Sequence, residues 1–408
     1  MLHAIGLPDR GDLRHRRSVI DVVLKPGRDR SLRRRHPWVM SGALERVAGD
    51  LEPGAWVRVL SAEGEVLGFG HGSPHSQIRV RLLSFGKESP GPDLVAARIA
   101  ASVARRVGDP LLADTDACRL VNAEGDGLPG LVADRYADVV VVRIATAGMS
   151  AERAAIARAL REASGAAAGL EHADAGAARR EGIAVHEGVL WGDPPKQPVA
   201  IRERGRRFLV DLAGGQKTGF YLDQRDARDL VQQLAAGRRV LDLFAYSGGF
   251  SVAAAAGGAR GVTLVESSLE ALALAERNLE PFRAALEVRL ERDDVFRFVR
   301  REAGGCYDLV IVDPPPLARR QGDVGRAARA YKDALLGALR LAGPQALLLA
   351  FACSHHVGPE LFRKIAFGAS LDASRPLQVL RELGAPVDHP VSLDHPEGRY
   401  LTGLLVRA

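Results

Sequence analysis

From about residue 237 onward, short apolar runs alternate with longer stretches of helical periodicity. The runs are Arg239–Leu243, Gly261–Val265, Leu286–Leu290, Leu309–Val312 and Ala346–Phe351; the helical stretches include Phe250–Ala256, Leu269–Leu279 and Tyr331–Leu341. Near-continuous apolar runs suit strands covered on both faces, and helical crossovers make successive strands parallel. The alternation therefore predicts an α/β fold, a doubly wound parallel sheet. Such sheets bind ligands outside the carboxyl ends of their strands. Polar residues at those ends are the natural candidates for a site.

Five strand ends carry them. Val240-Leu241-Asp242-Leu243-Phe244-Ala245-Tyr246-Ser247-Gly248-Gly249 reads as strand, tight turn and helix start. Its glycines do not fit Gly-x-Gly-x-x-Gly, and no phosphate-loop Gly-Lys-Ser/Thr is present. Glu266, followed by Ser267, lies 24 residues after Asp242, where a carboxylate can accept from a ribose diol. Asp294-Val295 follows the third run, and Asp294 is placed to accept from an adenine amino group. Asp313-Pro314-Pro315 ends the fourth run and Cys353 the fifth, so a carboxylate and a thiol are expected to face one ligand.

The rest of the chain has a different texture. Residues 19 to 90 alternate β-like runs with Gly/Pro turns: Val19–Leu24, Trp56–Leu60, Val66–Gly70 and Ile78–Leu83. This predicts a small β-barrel or sandwich. Residues 91 to 200 read as a central α/β region with a helix at 94–106, a strand at Asp138–Ile144 and an Ala-rich helix from about Ser150. Gly165–Ala178 is low in complexity and reads as a loop or frayed helix. Residues 1–18 read as a basic extension and 201–408 as the domain of the parallel sheet.

Charge is concentrated at the start. Residues 1–36 hold ten Lys/Arg and four Asp/Glu, so 10 − 4 = +6 falls in that stretch, equal to the net charge of the whole chain. Lys25, Arg33, Arg34 and Arg35, with Arg79 and Arg81 alternating along a later run, are candidates for holding nucleic-acid phosphates. The cysteines, Cys118, Cys306 and Cys353, are odd in number and widely spaced. That argues against a disulfide framework and a zinc site, so no metal is expected, and it suits a reducing cytoplasm. No apolar stretch approaches the roughly 18 residues of a membrane span, and the charged N-terminal residues do not form a signal core.

Four polar strand ends in this order resemble class I S-adenosylmethionine methyltransferases. Further segments narrow the resemblance to bacterial large-subunit rRNA cytosine-C5 methyltransferases. Leu24-Lys25-Pro26-Gly27, Arg34-Arg35-His36-Pro37-Trp38-Val39, Ser41-Gly42 and Ser76-Gln77-Ile78-Arg79 resemble that family's N-terminal PUA RNA-binding domain. Leu120–Leu131 resembles its central domain. Lys217-Thr218-Gly219-Phe220-Tyr221-Leu222-Asp223-Gln224-Arg225 is similar to its signature before the methyltransferase core. Asp388-His389-Pro390 and Pro396–Leu401 match its C-terminal part. Two motifs depart from the family pattern: Asp-Pro-Pro-Lys-Phe reads Asp313-Pro314-Pro315-Pro316-Leu317, and Ser-Cys-Ser reads Ala352-Cys353-Ser354.

The resemblance implies a Rossmann-like methyltransferase sheet behind a PUA domain, with S-adenosylmethionine as cofactor. It implies large-subunit rRNA, or an assembly intermediate, as substrate and leaves room for a homodimer. Cys353 is then the nucleophile that adds to C6 of the cytosine. Asp313 holds the base, and Tyr221, Gln224 and Arg225 stand by the methionine end of the cofactor, with Arg225 pairing its carboxylate. Phe244 to Gly248, Asp242, Glu266, Ser267, Asp294, Val295 and Asp313 form the rest of the cofactor pocket. Two other readings fit the residues: a guanine methyltransferase needing no thiol, and a non-catalytic RNA-binding assembly factor.

Overall fold

The computed structural model describes residues 19–214, 218–302, 304, 306–318 and 320–408. The basic extension at 1–18 and Lys217 of the signature lie outside them. The chain divides into two compact units. One holds the residues up to Pro92 together with Ala145–Glu152 and Ala175–Ala184, and the other holds the remainder.

The larger unit is built on a seven-stranded sheet. In chain order its strands are Arg239–Leu243, Gly261–Glu266, Glu287–Arg292, Tyr307–Val312, Ala342–Cys353, Gln378–Leu383 and Leu401–Arg407. Across the sheet they lie in the order 3-2-1-4-5-7-6. The first five are parallel, and the seventh inserts antiparallel between the fifth and sixth. Side-chain alternation divides each strand between two cores. Leu309, Ile311, Leu347, Leu349, Phe351 and Cys353 belong to one. Val310, Val312, Leu348, Ala350 and Ala352 belong to the other. The helices Arg225–Leu234, Gly249–Ala256 and Leu269–Leu279 cover the first face. Val295–Arg301, Val324–Leu341 and Pro359–Asp372 cover the second.

This division fixes the direction of the two candidate reactive groups. Asp313 continues the Leu309–Ile311 side of its strand, and Cys353 continues the Leu349–Phe351 side of the neighbouring one. Register pairs Val312 with Ala350, so both groups emerge on one face at adjacent strand ends. Ala352, which replaces the serine of the family pattern, points into the opposite core and is fully buried.

The same unit carries a five-stranded sheet containing Ala117–Asn122, Leu131–Tyr136, Val139–Ile144, Ala168–Glu171 and Gly188–Trp191, and a hairpin of Val199–Glu203 with Arg206–Val210. The stretch expected to be loop or frayed helix is thus partly strand: Ala168–Glu171 pairs in parallel with the Val139 strand, and Ala175–Glu181 is a helix. Its small residues have a packing reason. A Cβ on Gly169 would lie 2.2 Å from the Trp191 ring.

The smaller unit contains a six-stranded sheet in which Val19–Leu24 lies parallel to Trp56–Leu60 and antiparallel to Leu44–Val47. Val66–Gly72, Ile78–Phe85 and Trp38–Met40 extend it by antiparallel pairing. Val22, Leu24, Val39, Val57, Val59, Val80 and Leu82 form its core.

Candidate active site

A cavity of about 700 Å³, its mouth included, opens where the sheet's strand order reverses, between strands one and four. Phe220, Tyr221, Gln224 and Arg228 form one wall. Phe244, Ala245, Tyr246, Ser247, Gly249 and Phe250 supply the turn after the first strand, and Glu266, Ser267, Asp313 and Pro315 close the far side. This is the crevice where an open α/β sheet binds ligands.

The turn is shaped by unusual backbone. Phe244 and Tyr246 have φ of 64° and 48°, and Gly248, which begins the helix, has φ of 78°. Left-handed conformations at non-glycine residues cost roughly 1–3 kcal/mol each and persist where surrounding contacts hold them. Glu266 does much of the holding, because Oε2 accepts from Tyr246 N at 2.9 Å and Oε1 from Ser267 N at 2.7 Å and Ser268 N at 2.9 Å. Tyr246 also donates its hydroxyl to Gly219 O and meets the Tyr221 ring edge-on at 5.4 Å.

Several polar atoms in this wall are prepared for a ligand. Gln224 is 1% exposed, yet neither Oε1 nor Nε2 has a hydrogen-bond partner among the described residues. The same holds for Ser247 Oγ. An unpaired buried polar group costs about 1–3 kcal/mol, so these atoms call for a polar molecule in the cavity. Glu266 at the second strand end suits a ribose diol, and the aromatic and aliphatic surfaces of Phe244, Ala245 and Phe250 suit a flat base. The residues present therefore fit an adenosine carrying an amino-acid arm.

Cys353 Sγ lies 3.7 Å from Asp313 Oδ1. Asp313 lines the cavity; the thiol stands just behind it, buried at the end of its strand. Tyr221 joins them: burial pushes its hydroxyl well above the ordinary range, and the neighbouring Asp313 and Cys353 add to the effect. The result is a pocket beside a thiol–carboxylate pair.

Beneath the turn, Asp242 is fully buried, with Oδ2 accepting from Ser251 N and Oγ at 3.1 and 2.7 Å. Burial pushes its carboxyl up to about 7, with repulsion from Asp313 and Glu266 contributing. A folded-state value raised above the unfolded one, about 3.9, means the protein favours the protonated form. Stability from this group is present below about pH 4 and is lost as pH rises towards 7. Asp242→Asn is expected to flatten that part of the stability–pH curve, as urea unfolding at a series of pH values would reveal.

A model of the S-adenosylmethionine-dependent methyltransferase family matches residues 119–391. The chain belongs to that family. A PUA-like domain model matches residues 22–85. The methyltransferase is 38% identical over 395 residues to the ribosomal RNA large subunit methyltransferase I of Erwinia tasmaniensis, covering 95% of this chain and 99% of that protein. It is 40% identical over 393 residues to the protein of the same name from Aeromonas salmonicida, with 95% and 99% coverage. A solved methyltransferase complexed with SAH, 24% identical, shares the fold with a TM-score of 0.81 over 96% of this chain and all of that one. A Streptococcus mutans S-adenosylmethionine-dependent methyltransferase, also 24% identical, matches with a TM-score of 0.79 over the same shares. The cofactor of this methyltransferase is S-adenosylmethionine.

The structure gathers Tyr221, Gln224, Phe244, Ala245, Tyr246, Ser247, Glu266, Ser267 and Asp313 around the cavity. Gly248 shapes the turn from behind, where a Cβ would lie 3.0 Å from that of Ala275. Asp294 caps the following helix by accepting from Arg297 N, and Val295 is buried in the core; neither is on the cavity wall. Arg225 requires the clearest correction. It is fully buried and donates to Ala117 O and Asp388 Oδ2, both at 2.9 Å, so its guanidinium is turned away from the cavity into an internal ion network. Arg228, one helical turn on, is the residue that reaches the wall. Its guanidinium is bidentate to Glu203 and lies 4.4 Å from the Phe220 ring centroid. A one-turn offset between two arginines of one helix is invisible without knowing which face the helix buries.

In the smaller unit, Lys25, Arg34 and Arg35 are exposed, and Arg35 lies over the Phe85 ring at 5.6 Å. Arg33 is already paired with Asp29 at 2.6 Å and Glu65 at 2.8 Å. Arg79 donates to Ser73 O. Arg81 is not available to phosphate: 12% exposed, it is bidentate to the buried Glu181.

Proposed function

We propose that this chain transfers the methyl group of S-adenosylmethionine to C5 of a cytosine in large-subunit ribosomal RNA, through a covalent bond between Cys353 and C6. The observation that carries the reading is the 3.7 Å approach of Cys353 Sγ to Asp313 Oδ1 beside the cofactor cavity. The family relatives named for ribosomal RNA support the substrate class, as does the PUA-like domain. A ribosomal substrate agrees with a cytoplasmic site of action.

C5 of cytosine is a weak nucleophile. A thiolate adding to C6 converts it into an enamine carbon, dividing one difficult step into two easier ones. The Cys353 thiol donates towards Asp313, so proton transfer leaves a thiolate and a protonated carboxyl. The protonated Asp313 then donates to N3 as sulfur attacks C6, and the electron pair of the C5=C6 bond becomes available at C5. S-adenosylmethionine supplies the electrophilic methyl, made reactive by a positively charged sulfur. After C5 takes the methyl it must lose its proton; the pair released re-forms C5=C6 and expels the thiolate. Gln224, Ser247 and Glu266 hold the donor, while Phe244 and Tyr246 fix the turn that faces it. The target base must leave its stack to reach a thiol at this depth.

The test is to incubate the chain with methyl-labelled S-adenosylmethionine and unmodified large-subunit rRNA and to identify the labelled base. 5-Methylcytosine is expected; label on guanine would replace this reading with a non-covalent one. RNA affinity is also expected to fall with salt. Replacing Arg34 and Arg35 together with Gln should make the log–log slope shallower by roughly 0.7–0.9 for each phosphate that is no longer neutralised. Arg33→Gln should change it less, because Asp29 and Glu65 already neutralise that side chain.

A further inference from the structure

The proposed reaction leaves the C5 proton without an acceptor. We propose that the Asp223–Tyr400 pair receives it, an assignment that rests on the covalent reading above. Tyr400 donates its hydroxyl to Asp223 Oδ2 at 2.7 Å. Asp223 is 2% exposed and sits on the turn Leu222–Gln224, next in sequence to Gln224 of the cavity wall. Tyr400 is tied to the strand that carries Cys353. Its carbonyl accepts from Ser354 N at 2.8 Å, and the next residue, Leu401, is the register partner of Cys353. One hydroxyl therefore links the segment that walls the cofactor cavity to the strand pair that carries the nucleophile.

Chemistry favours this pair over its neighbours. Burial raises the Tyr400 hydroxyl well above the ordinary range, with Asp223 adding to the shift and Cys353 also acting on it. The phenol thus keeps its proton at rest and lies in the field of the thiol. It serves as a relay rather than as a standing base. As the C5–H bond breaks, the Tyr400 oxygen takes that proton and its own passes to Asp223. The C–H electron pair forms C5=C6, the C6–S bond breaks, and sulfur leaves as thiolate. N3 then returns its proton through Asp313 to the thiolate, and Asp223 releases the C5 proton to water, so every proton and electron pair is accounted for without a further reagent. Asp313 is occupied with N3 in the proposed sequence. Asp242 accepts two bonds from Ser251 beneath the turn. His355 is exposed, its ring 5.8 Å from that of Tyr400.

The two halves of the reaction can be separated on a denaturing gel, using the full chain, methyl-labelled S-adenosylmethionine and unmodified large-subunit rRNA. Asp223→Asn and Tyr400→Phe are expected to slow turnover by about 100-fold or more, the usual contribution of a positioned acid or base. Label should accumulate in a denaturant-resistant protein–RNA adduct, because methyl transfer precedes the blocked step. Adding Cys353→Ala to either variant should abolish the adduct. Tyr400→Phe keeps the ring and removes only the hydroxyl, so it carries the test if Asp223→Asn does not fold. Wild-type turnover in either variant would overturn the assignment. So would turnover abolished without adduct in a variant that melts normally and binds cofactor, or adduct accumulating with His355→Ala in place of these two. If Cys353→Ala alone made product at the wild-type rate, the covalent reading itself would fail. If that variant is inactive and neither Asp223→Asn nor Tyr400→Phe traps an adduct, only the proton acceptor is wrong.

Discussion

Cys353→Ala is expected to lower methyl transfer to rRNA by on the order of 10⁴-fold or more, the scale on which removing an enzyme nucleophile acts. Cofactor affinity should stay near its wild-type value. The thiol lies behind Asp313 rather than on the cavity wall, and it approaches Asp313 Oδ1 from there. Stability should fall by only about 1 kcal/mol, the scale of removing one small buried group. Label incorporation, calorimetric titration with S-adenosylmethionine and thermal melting check the three parts separately. Activity equal to wild type would remove the thiol from the reaction. A joint loss of activity and cofactor binding would instead make Cys353 a packing residue.

Arg225→Met is expected to have the largest effect on stability, about 3–5 kcal/mol, the cost of leaving a buried charge without its partner. Arg225 and Asp388 are both fully buried at the side chain and meet at 2.9 Å; Glu203, equally buried, lies 3.8 Å away. Asp388 also accepts from Arg119 N through Oδ2 and contacts His389 Nδ1 through Oδ1, and its carbonyl accepts from Arg106. Burial alone would raise the Asp388 carboxyl, but His389 and Arg225 together hold it well below the usual carboxylate range. The depressed folded value means that its stabilisation is present above the unfolded value of about 3.9 and is lost as pH falls through the folded one. Without Arg225, the buried carboxyl takes up a proton more readily. The gap between variant and wild type should therefore be widest near neutrality and narrow on acidification. Urea unfolding across roughly pH 4 to 8 measures it, and a gap that does not depend on pH would show that poorer packing, not charge, sets the cost.

The doubly wound sheet was legible because five apolar runs and their crossovers leave few ways to bury both faces. The site at its strand ends followed from the same logic, since Asp313 and Cys353 terminate adjacent strands and alternation turns them to one side. The sixth and seventh strands were not legible. Gln378–Leu383 lies at an exposed edge and carries no clean alternation, and its pairing is with residues made later. The roles of the arginines were hidden for a related reason. Arg81, Arg225 and Arg228 have partners 100, 163 and 25 residues away, Glu181, Asp388 and Glu203. No local pattern distinguishes a cation waiting for a ligand from one already neutralised by a distant carboxylate. Motifs with a resemblance but no visible chemistry proved structural: Asn122 donates to Pro390 O at 2.9 Å, and a Cβ on Gly125 would lie 2.0 Å from the same oxygen.

The insertion of Leu401–Arg407 between two earlier strands sets an order on assembly during synthesis. Until residues 401–407 have left the ribosome, Ala342–Cys353 has an open flank, and Gln378–Leu383 has no neighbour in the sheet at all. The strand bearing the thiol and the Tyr400 hydroxyl are thus completed by one late event. Such delayed, non-local pairing is slow and leaves a strand edge exposed in the meantime. The waiting strand is the one whose apolar Val379 and Leu380 face water.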